Sequence, residues 1–271
     1  MSRLRSTWRP VHHRGGIPVG GIAVGGIAAW LLTALLYLLL AGPAAAQGIT
    51  EPGALVSELV PPAQLRRTAE GPWEPLAVGT RVQQGQHIRT GLDGRVELTL
   101  AAQRVLRIGP ATEITVPRLQ LGEQTFNVRV KLVAGRVWGN LLRVLRPAWQ
   151  EHLVVSTPTA TVGIKGTQFG VDLDATQESL RLLVLRGQVA ALPPGADPGA
   201  PKEVPGPREV APPQEISEAA WEILVTSRQR LVLRPGAPPQ LEPVQPADLE
   251  DAWVAYNIAR DAAMESAPAA E

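Results

Sequence analysis

The amino-acid sequence predicts an all-β body of short, mostly antiparallel strands, preceded by an apolar export segment and followed by a short C-terminal helix. Three observations predict it. First, apolar residues alternate with polar ones: Val96, Leu98 and Leu100 against Arg95, Glu97 and Thr99, and Val128, Val130 and Leu132 against Arg129 and Lys131. A period of two marks strands with one buried face. Second, turn residues separate these runs, at Gly91-Leu92-Asp93-Gly94 and Leu121-Gly122-Glu123-Gln124. Third, the stretch from Val154 to Leu173 changes phase. Val162 and Ile164 fall on even positions, Phe169, Val171 and Leu173 on odd ones. A strand that changes phase needs a bulge or corner, and Gly166 sits at the switch.

The N-terminus reads as an export signal. Residues 1–14 are basic, an apolar run extends over 17–42, and Pro43 to Gln47 supplies small residues with an A-x-A-like cleavage site between Ala46 and Gln47. The rival is an uncleaved anchor, since 17–42 is long enough to cross a bilayer and would give membrane contact. In either case the body, beginning at residue 47, is expected outside the cytoplasm.

A β domain is expected over residues 54–192. Leu180 to Leu185 is more continuously apolar and should be a central strand closed by Gly187. Residues 193–213 are proline-rich and read as a linker. Over 214–264 a C-terminal extension follows, with strands at Trp221 to Val225 and Arg230 to Leu233 and a helix from Ala247 to Met264. Leu249, Ala252, Trp253, Tyr256 and Ala263 fall near one face of that helix, for packing on the β body or for a partner.

Composition narrows the chemistry. The chain has 271 residues, no cysteine and a net charge of +1. Arg3, Arg5, Arg9 and Arg14, with no acid before residue 47, leave the body at −3. That balance does not predict a nucleic-acid partner. Without cysteine there are no disulfides, thiolate metal sites or cysteine nucleophiles. His87 and His152 belong to no metal-binding spacing and read as surface or edge residues. Glu97, Glu113 and Asp172 sit at polar strand positions, where solvated carboxylates are the default; a glycosidase pair among them is the sharper alternative. Trp73, Trp138 and Trp149 are core candidates that could instead line a sugar- or peptide-binding groove. No catalytic residue, metal site or cofactor site is predicted.

Three blocks resemble the FecR-domain family. Thr157, Pro158, Ala160, Ile164, Lys165, Gly166, Thr167, Phe169 and Val171 are similar to its signature T-P-x-A … V-R-G-T-x-F-x-V. Gly79, Gly85, Ile88, Arg89, Thr90, Gly91, Asp93, Gly94, Val96 and Leu98 resemble its glycine-rich run, and Leu132, Gly135 and Val137 its central L-x-x-G-x-V. The resemblance spans residues 54–192. Lys165 replaces the usual arginine, keeping the charge but losing the two-pronged fork. Ala101-Ala102-Gln103 stands where the family often has an Asp-Gly-Ser turn.

The resemblance implies a compact FecR-type β-roll or sandwich, and it couples Lys165 to Gly166 and Thr167. Lys165 is therefore expected to serve the fold by hydrogen-bonding carbonyls at the corner. It further implies a non-enzymatic module of the periplasm or cell envelope that binds an envelope protein or a cell-wall glycan. The family's sigma-regulator role is not expected to carry over, because about sixteen residues ahead of the apolar run are too few for a folded sigma-binding domain. A structural envelope protein and a carbohydrate-active hydrolase are the competing classes.

Overall fold

Three long strands, each bent at a glycine, join two β layers into one folded sheet. The computed structural model describes residues 53–101, 104–122, 125–141, 150–198 and 221–266. The predicted signal or anchor and most of the predicted linker lie outside them. No helix among the described residues is long and apolar enough to cross a membrane.

In chain order the strands are β1 (Ala54–Val60), β2 (Ala63–Arg66), β3 (Glu74–Pro75), β4 (Arg81–Val82), β5 (His87–Thr90), β6 (Arg95–Ala101), β7 (Arg104–Ile108) and β8 (Glu113–Leu121). Then come β9 (Thr125–Asn140), β10 (Gln150–Ser156), β11 (Thr161–Asp174), β12 (Ser179–Leu192), β13 (Ile223–Thr226), β14 (Gln229–Leu233) and β15 (Gln240–Pro243). Helices α1 (Pro246–Glu250) and α2 (Ala252–Ser266) close the described chain.

The first layer runs β3-β2-β5-β8-β9-β10-β11-β12-β13, using the front halves of β9 and β11 and the back half of β12. The second runs β4-β1-β6-β7-β9-β11-β12-β14-β15, using the other halves of the three shared strands. Each shared strand bends at a glycine in the left-handed region: Gly135 (φ 87°), Gly166 (φ 61°) and Gly187 (φ 86°). A side chain is disfavoured in that region, so glycine is the residue that turns these corners without strain. The ladder between β11 and β12 shifts register between Lys165 and Gln168, as the change of phase requires.

Inward side chains from both layers form one core. Ile88, Ile114, Val128 and Ile164 enter from the first layer and Val56, Leu98, Val137 and Val171 from the second, none more than 4% exposed. Burial of this kind stabilises by about 1.5–3 kcal/mol for each large apolar side chain.

The structure corrects several expectations. Strands are not uniformly short, since β9, β11 and β12 have 16, 14 and 14 residues. Among the described strands one pairing is parallel, β9 with β10. Gly187 bends β12 rather than ending it, and β12 continues to Leu192. The predicted C-terminal strands are found within a residue or two as β13 and β14, and each adds to β12 in a different layer. β15 had no alternation to reveal it.

Candidate functional site

The two outer faces of the sandwich are treated differently, and that contrast locates the site. Residues paired across strands share a face, so register alone assigns each side chain. On the outer face of the second layer the pairings line up Glu97, Arg107, Trp138, Gly170, Leu183 and Arg230. Helix α2 covers this row from Glu97 to Leu183, and Asp248 of α1 pairs with Arg230 at its end. Its buried residues are Trp253, Val254, Asn257 and Asp261, at helical spacing. The predicted helix face is therefore rotated: Trp253 points inward, but Ala252 and Ala263 are exposed and Leu249 is 41% exposed. Two polar residues occupy the buried stripe, which an apolar period cannot reveal.

Asp261 is the hub beneath the helix, 1% exposed. It accepts hydrogen bonds from Arg107 Nη1 at 2.5 Å, Trp138 Nε1 at 2.9 Å and Gln168 Nε2 at 2.6 Å. Arg107 Nε also donates to Glu97 at 2.7 Å. Burial works to lower the pKa of the Arg107 guanidinium, but Asp261 and Glu97 outweigh it and hold it above the ordinary arginine value. Around this hub, Glu58 takes Tyr256 and Arg260, and Arg136 bridges Asp172 and Asp251. Glu97 is thus 8% exposed and paired with arginine, not solvated, and Asp172 is likewise paired. Each carboxylate is occupied by a permanent cation, an arrangement unlike a paired acid and base. Trp138 is core beneath the helix. Trp73 lies apart from it, under the guanidiniums of Arg66 and Arg89 at 4.6 and 4.2 Å. Trp149 lies outside the described residues.

The signature residues divide into fold and surface. Thr157 Oγ1 accepts from Ala160 N at 3.0 Å, fixing the turn that Pro158 occupies, and Ala160 is fully buried. Thr90 Oγ1 donates to Gly109 O at 2.6 Å and accepts from Thr112 N at 2.9 Å. Gly91 N donates to Pro62 O, and a side chain at Gly91 or Gly94 would collide with Pro62. Asp93 is exposed at the tip of that turn. Thr167 is buried and its carbonyl accepts from Leu141 N at 2.9 Å. Phe169 fills the space left by Gly139. These residues hold the corners together.

Lys165 does not. It is exposed, and among the described residues it makes no hydrogen bond or ion pair, so the expected bond to corner carbonyls is absent. The backbone and the flanking pairs make the corner without it. Lys165 instead lies on the outer face of the first layer, which no helix among the described residues covers. There it borders a groove of about 280 Å³ with His152, Gly163, Gln188, Pro198, Glu222 and Leu224. Proline 198, from the segment after β12, sits over Gly163, and the neighbouring Asp197 pairs with Arg129 at 2.8 Å. His152 is exposed in the groove; His87 is half-buried, its Nδ1 2.9 Å from Thr115 Oγ1. Burial and then Arg66 lower the pKa of His87 against the opposing pull of Glu113. No group of three or more histidine, aspartate or glutamate residues among those described is placed to hold a metal.

Residues 86–190 match the family model described as FecR protein. The chain carries a FecR domain. The match covers all three corner glycines, Gly135, Gly166 and Gly187, and leaves Gly79 and Gly85 of the resembling run outside. Two solved structures, each described as a “putative anti-sigma factor” from Parabacteroides distasonis ATCC 8503, are similar to this chain at 13% and 14% identity. The similarities cover 58% and 62% of this chain and 59% and 64% of those, with TM-scores of 0.41 and 0.43. The chain therefore spans about three fifths of the length of those structures. No curated protein matches it.

Proposed function

We propose that this FecR-domain protein is a non-enzymatic binding and signalling module of the cell envelope, acting outside the inner membrane. Its ligand, an envelope protein or a cell-wall polymer, docks on the outer face of the first layer around Lys165. One observation carries this reading. The signature cation is exposed beside a groove and has no partner among the described residues, while its neighbours Gly166 and Thr167 serve the corner. A charged side chain that contributes no contact to the fold is free to contact something else. The arginine-bound state of Glu97 and Asp172 supports the non-enzymatic part.

A photoreactive residue placed at Gln188 tests it. In envelope extract it should form a covalent adduct that the same group placed at Arg228 does not form, and the purified protein should turn over no glycan, peptide or phosphoester. Equal labelling from both positions removes the assignment of the face. A hydrolytic rate that disappears on changing one carboxylate to alanine overturns the non-enzymatic reading, and assembly of the purified protein into polymers favours a structural role.

A further inference from the structure

We infer that the outer face of the first layer takes a linear, negatively charged glycan. The inference rests on the reading that this face is the binding surface, and it names the ligand's chemistry.

Register places Arg66, Arg89, Arg118, Arg129, Lys131 and Lys165 on this one outer face, where the described carboxylates are Glu113 on β8, Asp197 on Arg129 and Glu222 at the groove, so the cations outnumber the acids six to three. That is a basic surface on a body whose net charge is negative. Among the described residues, Arg118, Lys131 and Lys165 are exposed and have no ion-pair partner. Arg129 is occupied by Asp197, and Arg66 and Arg89 cover Trp73. The contrast with the second layer, where Arg107, Arg136 and Arg230 are matched by carboxylates of the strands and helices, is what makes the excess informative.

The cations are spread rather than clustered. With strands about 4.8 Å apart and same-face residues about 6.8 Å apart along a strand, Lys165 lies about 17 Å from Lys131. Between and beside them stand neutral hydrogen-bonding side chains that reach the surface: Gln188, Asn127, Gln120 and Ser156. Spaced positive charges separated by amides and hydroxyls complement a chain of hydroxyl-rich units bearing carboxylates at intervals. A protein partner would ask for central aromatic or large apolar anchors. The strand positions facing out here offer Val133 and Leu224 as exposed large apolar groups. A single-stranded nucleic acid would ask for rings on which bases stack, and the indole of Trp73 is already engaged by two guanidiniums.

Alginate oligomers, a linear polyuronate, serve as the probe, titrated into the full-length protein by calorimetry in low and high salt. Binding should be measurable at low salt and weaken steeply as salt rises. Exchanging Arg118, Lys131 or Lys165 for glutamine should each lower affinity by about three- to fivefold, and the triple variant by about thirtyfold or more. Arg81→Gln, an exposed cation on the other layer, should stay within about twofold. The inference is overturned by no alginate binding at low salt, by equal affinity in the triple variant, by equal binding of neutral dextran, or by tighter binding of DNA than of alginate. A ligand class wrongly assigned leaves the Gln188 adduct intact; a face wrongly assigned removes the adduct as well.

Discussion

Replacing Asp261 with alanine tests the helix latch at its hub. The carboxylate is buried and meets Arg107, Trp138 and Gln168 within 2.5–2.9 Å. Removing one partner of a buried ion pair costs about 3–5 kcal/mol, because the remaining charge is left unsatisfied. Here Glu97 still neutralises part of Arg107, which pulls the cost toward the lower end. Two neutral donors, Trp138 Nε1 and Gln168 Nε2, lose their acceptor as well, each worth about 1–3 kcal/mol if they stay dry. These contributions do not add without limit, since α2 can lift and let water reach all three. The expected loss is about 3–4 kcal/mol in chemical denaturation, against a typical total of about 5–15 kcal/mol. Amide exchange should accelerate first over residues 252–266. The double variant Arg107→Met with Asp261→Leu should recover much of the loss, as apolar replacement of a whole buried pair often does. A change below about 0.5 kcal/mol for Asp261→Ala, or exchange that rises uniformly along the chain, would refute the latch.

Other outcomes follow from the same geometry. Gly166→Ala meets open space and suffers only its positive φ, so it should cost about 1–2 kcal/mol by thermal melt. Gly187→Ala should cost more, because its Cβ would lie 2.5 Å from Thr167 Cγ2 and 2.8 Å from Gly166 O; equal losses would mean that packing at the corner is looser than described. Asp251 accepts from the backbone N–H groups of Trp253 and Val254, and burial acting to raise its pKa is outweighed by those bonds and Arg136, leaving it below the ordinary value. Its stabilisation is present above about pH 4 and lost as pH falls through the lower folded value; Asp251→Ala should cost about 1 kcal/mol at neutral pH and flatten the acid limb of a stability–pH curve. For His87, whose folded pKa lies below the usual value of about 6.5, stability should decline as pH drops through that usual value. His87→Gln should remove this slope, and an unchanged slope would place its origin elsewhere.

Much of the first layer and the corner was legible because backbone geometry writes itself into sequence. A strand that bends must switch the parity of its apolar residues, so Val162 and Ile164 against Phe169 and Val171 point to Gly166 before any coordinates do. The same logic missed Gly187, because Leu180 to Leu185 is too evenly apolar to show a change of phase. The helix latch was hidden for a different reason. Asn257 and Asp261 break the apolar stripe, and their burial depends on Arg107 and Gln168, which lie 154 and 93 residues from Asp261 in the chain. Glu97 looked solvated because alternation separates core from outer face, and cannot say that the outer face has a helix on it. Lys165 misled in the opposite direction. Its neighbours Gly166 and Thr167 are fixed by the corner, and adjacency in sequence does not extend that duty to a side chain pointing outward.

The amount of envelope ligand retained by folded Lys165→Ala protein, relative to the parent, tests the central claim most directly. A thermal melt of the same sample fixes the folded fraction. The structure predicts an unchanged midpoint with reduced retention, because Lys165 contributes no bond to the corner and stands at the edge of the groove. A lowered midpoint with full retention per folded molecule would return Lys165 to the fold and contradict the assignment of this face.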